Sequence, residues 1–344
     1  MDHDFGRELF ERYKQRMTVM LKVIHCDTHE HIFRHLTSLQ QASEVRTIPN
    51  ALLWLDLQSP TEQELVKLGQ EFQLHPLAIE DASREHQRPK VEEYESFYFV
   101  VFYSVSLNAN SPELDICELD MFLGKNYLIT VHNGHILELD EVEQRWTRNA
   151  KQLEWGVGVL LYTLLDTIID RYFPVVDEMV NQAEELEDHL FSGTVRQAAF
   201  TQELLELRKR FLTLRRIATP ERDALNILTN RDNPIFDEHA LVYFRDVYDH
   251  ITRLADTIDL YRDQLSTTMD ANLSIVSNDL NKVMRALTSA SIILMADSLL
   301  AGIWGMNFVN IPELRLHYGY YGALALMAVI SILLLLIFKR LRWF

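Results

Sequence analysis

Residues 286–306 read ALTSASIILMADSLLAGIWGM, and residues 320–338 read YYGALALMAVISILLLLIF. Each stretch approaches or reaches the roughly 20 apolar residues that a helix needs to cross the hydrocarbon core of a bilayer. Lys282 and Arg285 precede the first, and Lys339-Arg340-Leu341-Arg342-Trp343 follows the second. Because cytoplasmic flanks collect Lys and Arg, both ends of this hairpin are expected in the cytoplasm, with the loop 307–319 outside. Two membrane spans, at about 286–306 and 320–338, therefore set the fold class.

Upstream of the first span there is no Pro between Pro234 and Pro312 and no Gly between Gly193 and Gly302, while apolar residues recur at helical spacing. One continuous helix from about residue 237 to 306 is expected. At 1.5 Å per residue it would be on the order of 100 Å long, far more than a bilayer needs, so much of it projects as a stalk. A second helical block, about 152–231, carries the acidic run Glu184-Glu185-Leu186-Glu187-Asp188, with Pro174 and Ser192-Gly193 as expected interruptions. The first 140 residues or so differ: residues 97–103, 119–123 and 127–131 are short β-rich runs, and 61–72 after Ser59-Pro60 reads as a helix. The expected organisation is an α+β membrane protein. It has an N-terminal cytoplasmic α/β domain (1–150), a helical stalk domain (151–285) and a transmembrane domain (286–344).

Charge is unevenly placed. Of the formal −17, residues 281–344 hold six basic residues against Asp297 and Glu313, a local +4, which leaves −21 on residues 1–280. Such a field repels nucleic acid phosphates and concentrates small cations. Cys26 and Cys117 are too few for a disulfide framework and fit a reducing compartment. The opening residues MDHDFGRE show no apolar core of a signal peptide. No Walker, Rossmann or nucleophile-elbow pattern is present, so nothing in the sequence carries enzymatic chemistry.

Where the first span meets the outside water stands Gly305-Met306-Asn307. Gly lets the backbone leave the helix and frees carbonyl oxygens, and the Asn307 amide adds a hard, neutral oxygen. Mg²⁺ sheds water reluctantly, so a ring of such oxygens can hold the hydrated ion through its waters; the plain alternative is a helix C-cap. Near the N-terminus His25, Cys26, His29, His31 and His35 have spacings open to a transition metal, but no finger pattern, and read mainly as ordinary surface or core residues.

The stretch from Gly302 to Phe308, followed by Ile311-Pro312-Glu313-Leu314 and a basic, Trp-containing end, resembles the CorA family of magnesium, cobalt and nickel transporters. His75-Pro76-Leu77, Glu80-Asp81, Gln87-Arg88-Pro89-Lys90-Val91, residues 243–250 and residues 274–284 resemble it in the same order. The resemblance implies a homopentameric funnel in the bacterial inner membrane. Gly305, Met306 and Asn307 would form the selectivity filter, with Glu313 attracting cations in the outer loop. Met306, where a related zinc branch typically has Val, points to Mg²⁺ and Co²⁺. Asn281, Met284, Leu287, Thr288, Ser291, Met295, Ser298 and Gly302 recur at spacings that line one helix face; Met284 and Leu287 match the hydrophobic constriction, and Asp270 matches the cytoplasmic pore entrance. Glu80, Asp81, Asp166 and Asp246 match positions that bind regulatory Mg²⁺ between neighbouring subunits. The expected function is a divalent-cation channel. Its expected partners are further copies of itself, the lipid bilayer and Mg²⁺, with Co²⁺ or Ni²⁺ as further cargo and no nucleic acid. The rivals are a Zn²⁺ transporter of the related branch and a non-conducting Mg²⁺-sensing scaffold.

Asp297 departs from the family pattern, which is apolar at this depth. A charged Asp at the centre of a lone membrane helix costs about 2.5–3.5 kcal/mol, so it is expected between neighbouring first spans, either with Ser291 or Ser298 as hydrogen-bond donors or kept protonated by burial. The other expectation is a ring of carboxylates near the ion path.

Overall fold

The computed structural model describes residues 20–27, 32–36, 38–48, 50–108, 111, 113–148, 156–192, 197–230, 238–306, 317–341 and 343. The chain forms two compact units, Met1–Ser266 and Thr267–Phe344.

In the first unit seven strands form one sheet: β1 (Met20–Asp27), β2 (Ile32–Leu36), β3 (Ala51–Gln58), β4 (Lys90–Glu93), β5 (Phe97–Leu107), β6 (Leu114–Gly124) and β7 (Tyr127–His132). Their order is β2-β1-β3-β7-β6-β5-β4, antiparallel throughout except for the parallel pair β3–β7. Residues 97–105 of β5 and all of β7 are buried without alternation, as expected for strands covered on both faces. The short helices are α1 (Leu39–Val45), α2 (Glu62–Phe72), α3 (Pro76–Ser83) and α4 (Leu137–Arg148). Helix α2 begins with a capping box: the Glu64 main-chain N–H donates to the Thr61 hydroxyl and the Thr61 N–H to Glu64.

Two long helices follow, α5 (Val157–Ser192) and α6 (Gln197–Asn230). Pro174 does not interrupt α5, contrary to the sequence expectation. Tyr172, Val175 and Val176 flank it and are all buried, and that packing holds the helix through the one main-chain hydrogen bond that Pro cannot make. Helix α7 runs unbroken from Glu238 to Trp304, close to the expected bounds, and α8 (Gly319–Arg340) is the second apolar helix. Both are long and apolar enough to cross a membrane.

His25 and Cys26 lie buried on β1, whereas His35 is exposed on β2. His25 pairs with Arg34 and His35 with Ile24, so the two imidazoles belong to opposite faces of the sheet. His29 and His31 lie outside the described residues. Burial pushes the Cys26 thiol up to about 11, further from the thiolate that metals bind.

Strand β5 extends beyond the end of β4, whose last partner on this side is Val101. The main-chain groups of Tyr103 on that open edge are met by side chains from the long helices. Its N–H donates to Glu221 Oε1 (2.9 Å), and its carbonyl accepts from the Tyr172 hydroxyl (2.6 Å), which also lies 3.0 Å from Glu221 Oε1. Burial pushes the fully enclosed Glu221 carboxyl up to about 8, against the pull of these two donors.

Folded Glu221 therefore keeps a proton that the unfolded chain releases above its ordinary value of 4.5. Stability from this group is complete below that value and falls as pH rises towards about 8, at about 1.4 kcal/mol per pH unit. Glu221→Gln should flatten the decline, measured by urea unfolding of the detergent-solubilised chain across that window. An unchanged slope would mean that Glu221 is ionised in the folded protein.

Candidate functional site

Helices α5 and α7 each turn one face towards the other. Tyr162, Asp166 and Asp170 follow at four-residue steps on α5; Tyr243, Asp246 and His250 follow at three and four on α7. The rings of Tyr162 and Tyr243 lie 5.0 Å apart, and Phe173 meets His250 edge-on. Between them, one ligand atom each from Asp166, Asp246 and His250 lies within 4.8 Å of the others. His250 Nδ1 is 3.9 Å from Asp170 and Nε2 is 3.9 Å from Asp246. The buried Nδ1 has no hydrogen-bond partner among the described residues.

Charge is uncompensated here. Burial and then the neighbouring Asp170 push the Asp166 carboxyl up to about 6, and Asp246 adds to this, while His250 and Arg145 pull the other way. Burial, followed by Asp166 and Asp246, pushes the Tyr162 hydroxyl up to about 12. Two carboxylates and one imidazole, with a third carboxylate behind, suit a divalent cation that keeps part of its water shell; the imidazole extends the range towards Co²⁺ and Ni²⁺. His250 and Asp170 were not identified as site residues in the sequence. The signal was present, since each lies one helical turn from a residue that was.

Glu80 and Asp81, on α3, do not belong to this group within the chain. Asp81 is ion-paired to Lys90 (2.6 Å), which also holds Glu92 (2.7 Å), and Glu80 pairs with Arg84 (2.5 Å). Burial disfavours the Lys90 ammonium, but the Asp81 and Glu92 carboxylates outweigh it and raise its pKa.

In the second unit, α7 has one covered side. Ser289, Ile293, Ala296, Asp297, Leu300 and Trp304 are buried or half-buried, whereas Asn281, Met284, Leu287, Thr288, Ser291, Met295, Ser298 and Gly302 are all exposed in the single chain, as are Ile292, Leu294, Leu299 and Ile303. Asp297 is bound by a residue the sequence reading did not consider. The Ser331 hydroxyl, on α8, donates to Asp297 Oδ2 at 2.7 Å. Ser291 is not the donor: its hydroxyl donates back to the Leu287 carbonyl (2.8 Å), as a helical Ser does when no better acceptor is in reach. At the end of α7 the Gly305 N–H donates to the Ala301 carbonyl (2.9 Å), and a side chain at 305 would crowd that same oxygen at 3.2 Å. Met306 follows, exposed. Asn307 and Glu313 lie outside the described residues, and Asp270 is exposed on α7.

Two long apolar helices and a carboxylate–imidazole cluster on an α/β unit define a membrane protein equipped to handle cations. The family described as CorA-like Mg²⁺ transporter protein matches residues 49–340. The cobalt/magnesium transport protein CorA of Thermotoga maritima is 33% identical over 292 residues, 84% of this chain and 83% of that protein. Its counterpart in Methanocaldococcus jannaschii is 28% identical over 294 residues, 85% and 91% of the two chains. The complete structure of the CorA magnesium transporter from M. jannaschii superposes with a TM-score of 0.79 at 26% identity, covering 95% of this chain and all of that one. The chain belongs to the CorA-like Mg²⁺ transporter family.

If Asp166 and Asp246 take a cation, Mg²⁺ should slow proteolysis of the soluble unit of the full chain in detergent. Its apparent affinity should weaken as pH falls through about 6, where the proton on Asp166 competes with the metal. Asp246→Asn should weaken it several-fold at neutral pH. Protection unchanged in Asp246→Asn would reduce the cluster to ordinary surface charge.

Proposed function

We propose that the chain is the subunit of a homopentameric channel that passes Mg²⁺, and also Co²⁺ and Ni²⁺, across the inner membrane of a bacterium. Both termini lie in the cytoplasm, and the membrane potential and ion gradient drive the flux. The observation that carries this reading is the exposed side of α7. Thr288, Ser291, Ser298 and Gly302 form part of it, and a line of hydroxyls and Gly gains nothing from lipid. A ring of copies would turn that line towards a shared, hydrated path.

Within such a ring each named residue has a physical task. Asp270 presents carboxylates at the cytoplasmic mouth, and Asn281 stands just before the constriction. Met284 and Leu287 close the path by excluding water from an apolar ring. Met295 adds a pliable apolar contact along the line. Beyond Gly305 and Met306, the Asn307 amide oxygens hold the hydrated ion through its own water shell, because Mg²⁺ gives up that shell reluctantly. Glu313 raises the cation concentration at the outer mouth. Cytoplasmic Mg²⁺ at Asp166 and Asp246, joined by Glu80 and Asp81 of a neighbour, relieves like-charge repulsion between subunits and holds the ring closed.

Asn307→Ala should abolish Mg²⁺ entry into proteoliposomes while leaving the assembly intact by size-exclusion chromatography. Entry at the unsubstituted rate in that variant would overturn the filter assignment.

A further inference from the structure

We infer that the hydrogen bond from Ser331 to Asp297 is a positioning clasp that fixes the rotation of α7 on α8 and thereby selects which face of α7 turns to the ion path. The inference rests on the reading of the exposed α7 face as pore lining.

Asp297 is the only ionisable residue between Arg285 and Trp304, and Ser331 is the only polar side chain between Gly322 and Phe338. The two meet at 2.7 Å, and among the described residues this is the one hydrogen bond that joins the two spans. Apolar contact alone fixes the rotation of a membrane helix poorly, because a lipid tail is as apolar as Leu. A hydrogen bond between helices is directional and is lost when either helix turns. Asp297 Oδ1 is buried with no partner, so the carboxylate tip sits inside the hairpin, away from both lipid and the proposed path.

The angular arrangement makes the consequence specific. With about 100° per residue, the half-buried residues of α7 lie within about 100° of Asp297 on one side, and the eight exposed candidates centre about 140° away on the other. Turning α7 by a single residue step towards the following residues would replace the line of Thr288, Ser291, Ser298 and Gly302 by Ser289, Ile292, Leu299 and Ile303. Beyond Ser289, a path lined that way offers an ion's water shell no side-chain hydrogen bonds.

The test uses the full-length chain in vesicles with Cys26 and Cys117 replaced by Ala. Single cysteines stand at Ser291 and Ser298 on the proposed line, and at Ile292 and Leu299 on the adjoining face. Labelling by a membrane-impermeant thiol reagent is read together with Mg²⁺ entry. In the otherwise unsubstituted chain the first pair should label and the second should not. Ser331→Ala and Asp297→Leu should each raise labelling at Ile292 and Leu299 relative to Ser291 and Ser298 by roughly threefold to twentyfold, the weight of one hydrogen bond between membrane helices. The double variant should do no more than either alone, since both remove the same bond. Asp297→Asn, whose amide oxygen still accepts from Ser331, should keep the original pattern. Unchanged labelling ratios in both Ser331→Ala and Asp297→Leu would overturn the clasp alone. No labelling of the Ser291 and Ser298 cysteines in the unsubstituted background, with no Mg²⁺ entry, would overturn the pore reading and the inference with it.

Discussion

The structure depends on a helix that nothing breaks. From Glu238 to Trp304, α7 contains no Pro, and its first Gly is Gly302. Such a helix closes every internal main-chain hydrogen bond along its length, which is the only way a lone segment can pass through hydrocarbon. The same element contributes Asp246 and His250 to the acidic cluster and the exposed line from Asn281 to Gly302 to the second unit.

The sequence was most legible where one physical rule acted alone. Apolar length marked both spans, the absence of breakers marked α7, and Ser59-Pro60 marked the start of α2. Strand β3, ALLWLDLQ, opens on a five-residue apolar run that periodicity cannot distinguish from a buried helical piece, and only its pairing with β1 and β7 settles it. Pro174 misled because its local rule competes with packing, and buried neighbours on both sides outweighed one missing hydrogen bond. The site was half legible. Asp166 and Asp246 came from a family resemblance, whereas His250 and Asp170 needed the two helices set side by side. Asp297 was recognised as anomalous, yet its donor lies 34 positions away on another helix, a distance over which sequence spacing carries no information.

The two groups of proposed regulatory carboxylates are not equivalent. Asp166, Asp170 and Asp246 share a site with one imidazole, and Arg145 offsets their mutual repulsion only in part, since the Asp166 carboxyl is still pushed up to about 6. Glu80 and Asp81 already have Arg84 and Lys90. The Arg84 pair is largely exposed and contributes little, as surface pairs do. The Lys90 pair is more enclosed, with Glu92 on the same ammonium, and its replacement by a metal ion requires that ammonium to find another partner. A cation shared between the two groups would therefore gain most of its binding energy at Asp166 and Asp246 and give back part of it at Asp81. That exchange weakens the site relative to a cage of free carboxylates. On the proposed regulatory reading such weakening would be useful, because a site that never empties cannot report a fall in ion concentration.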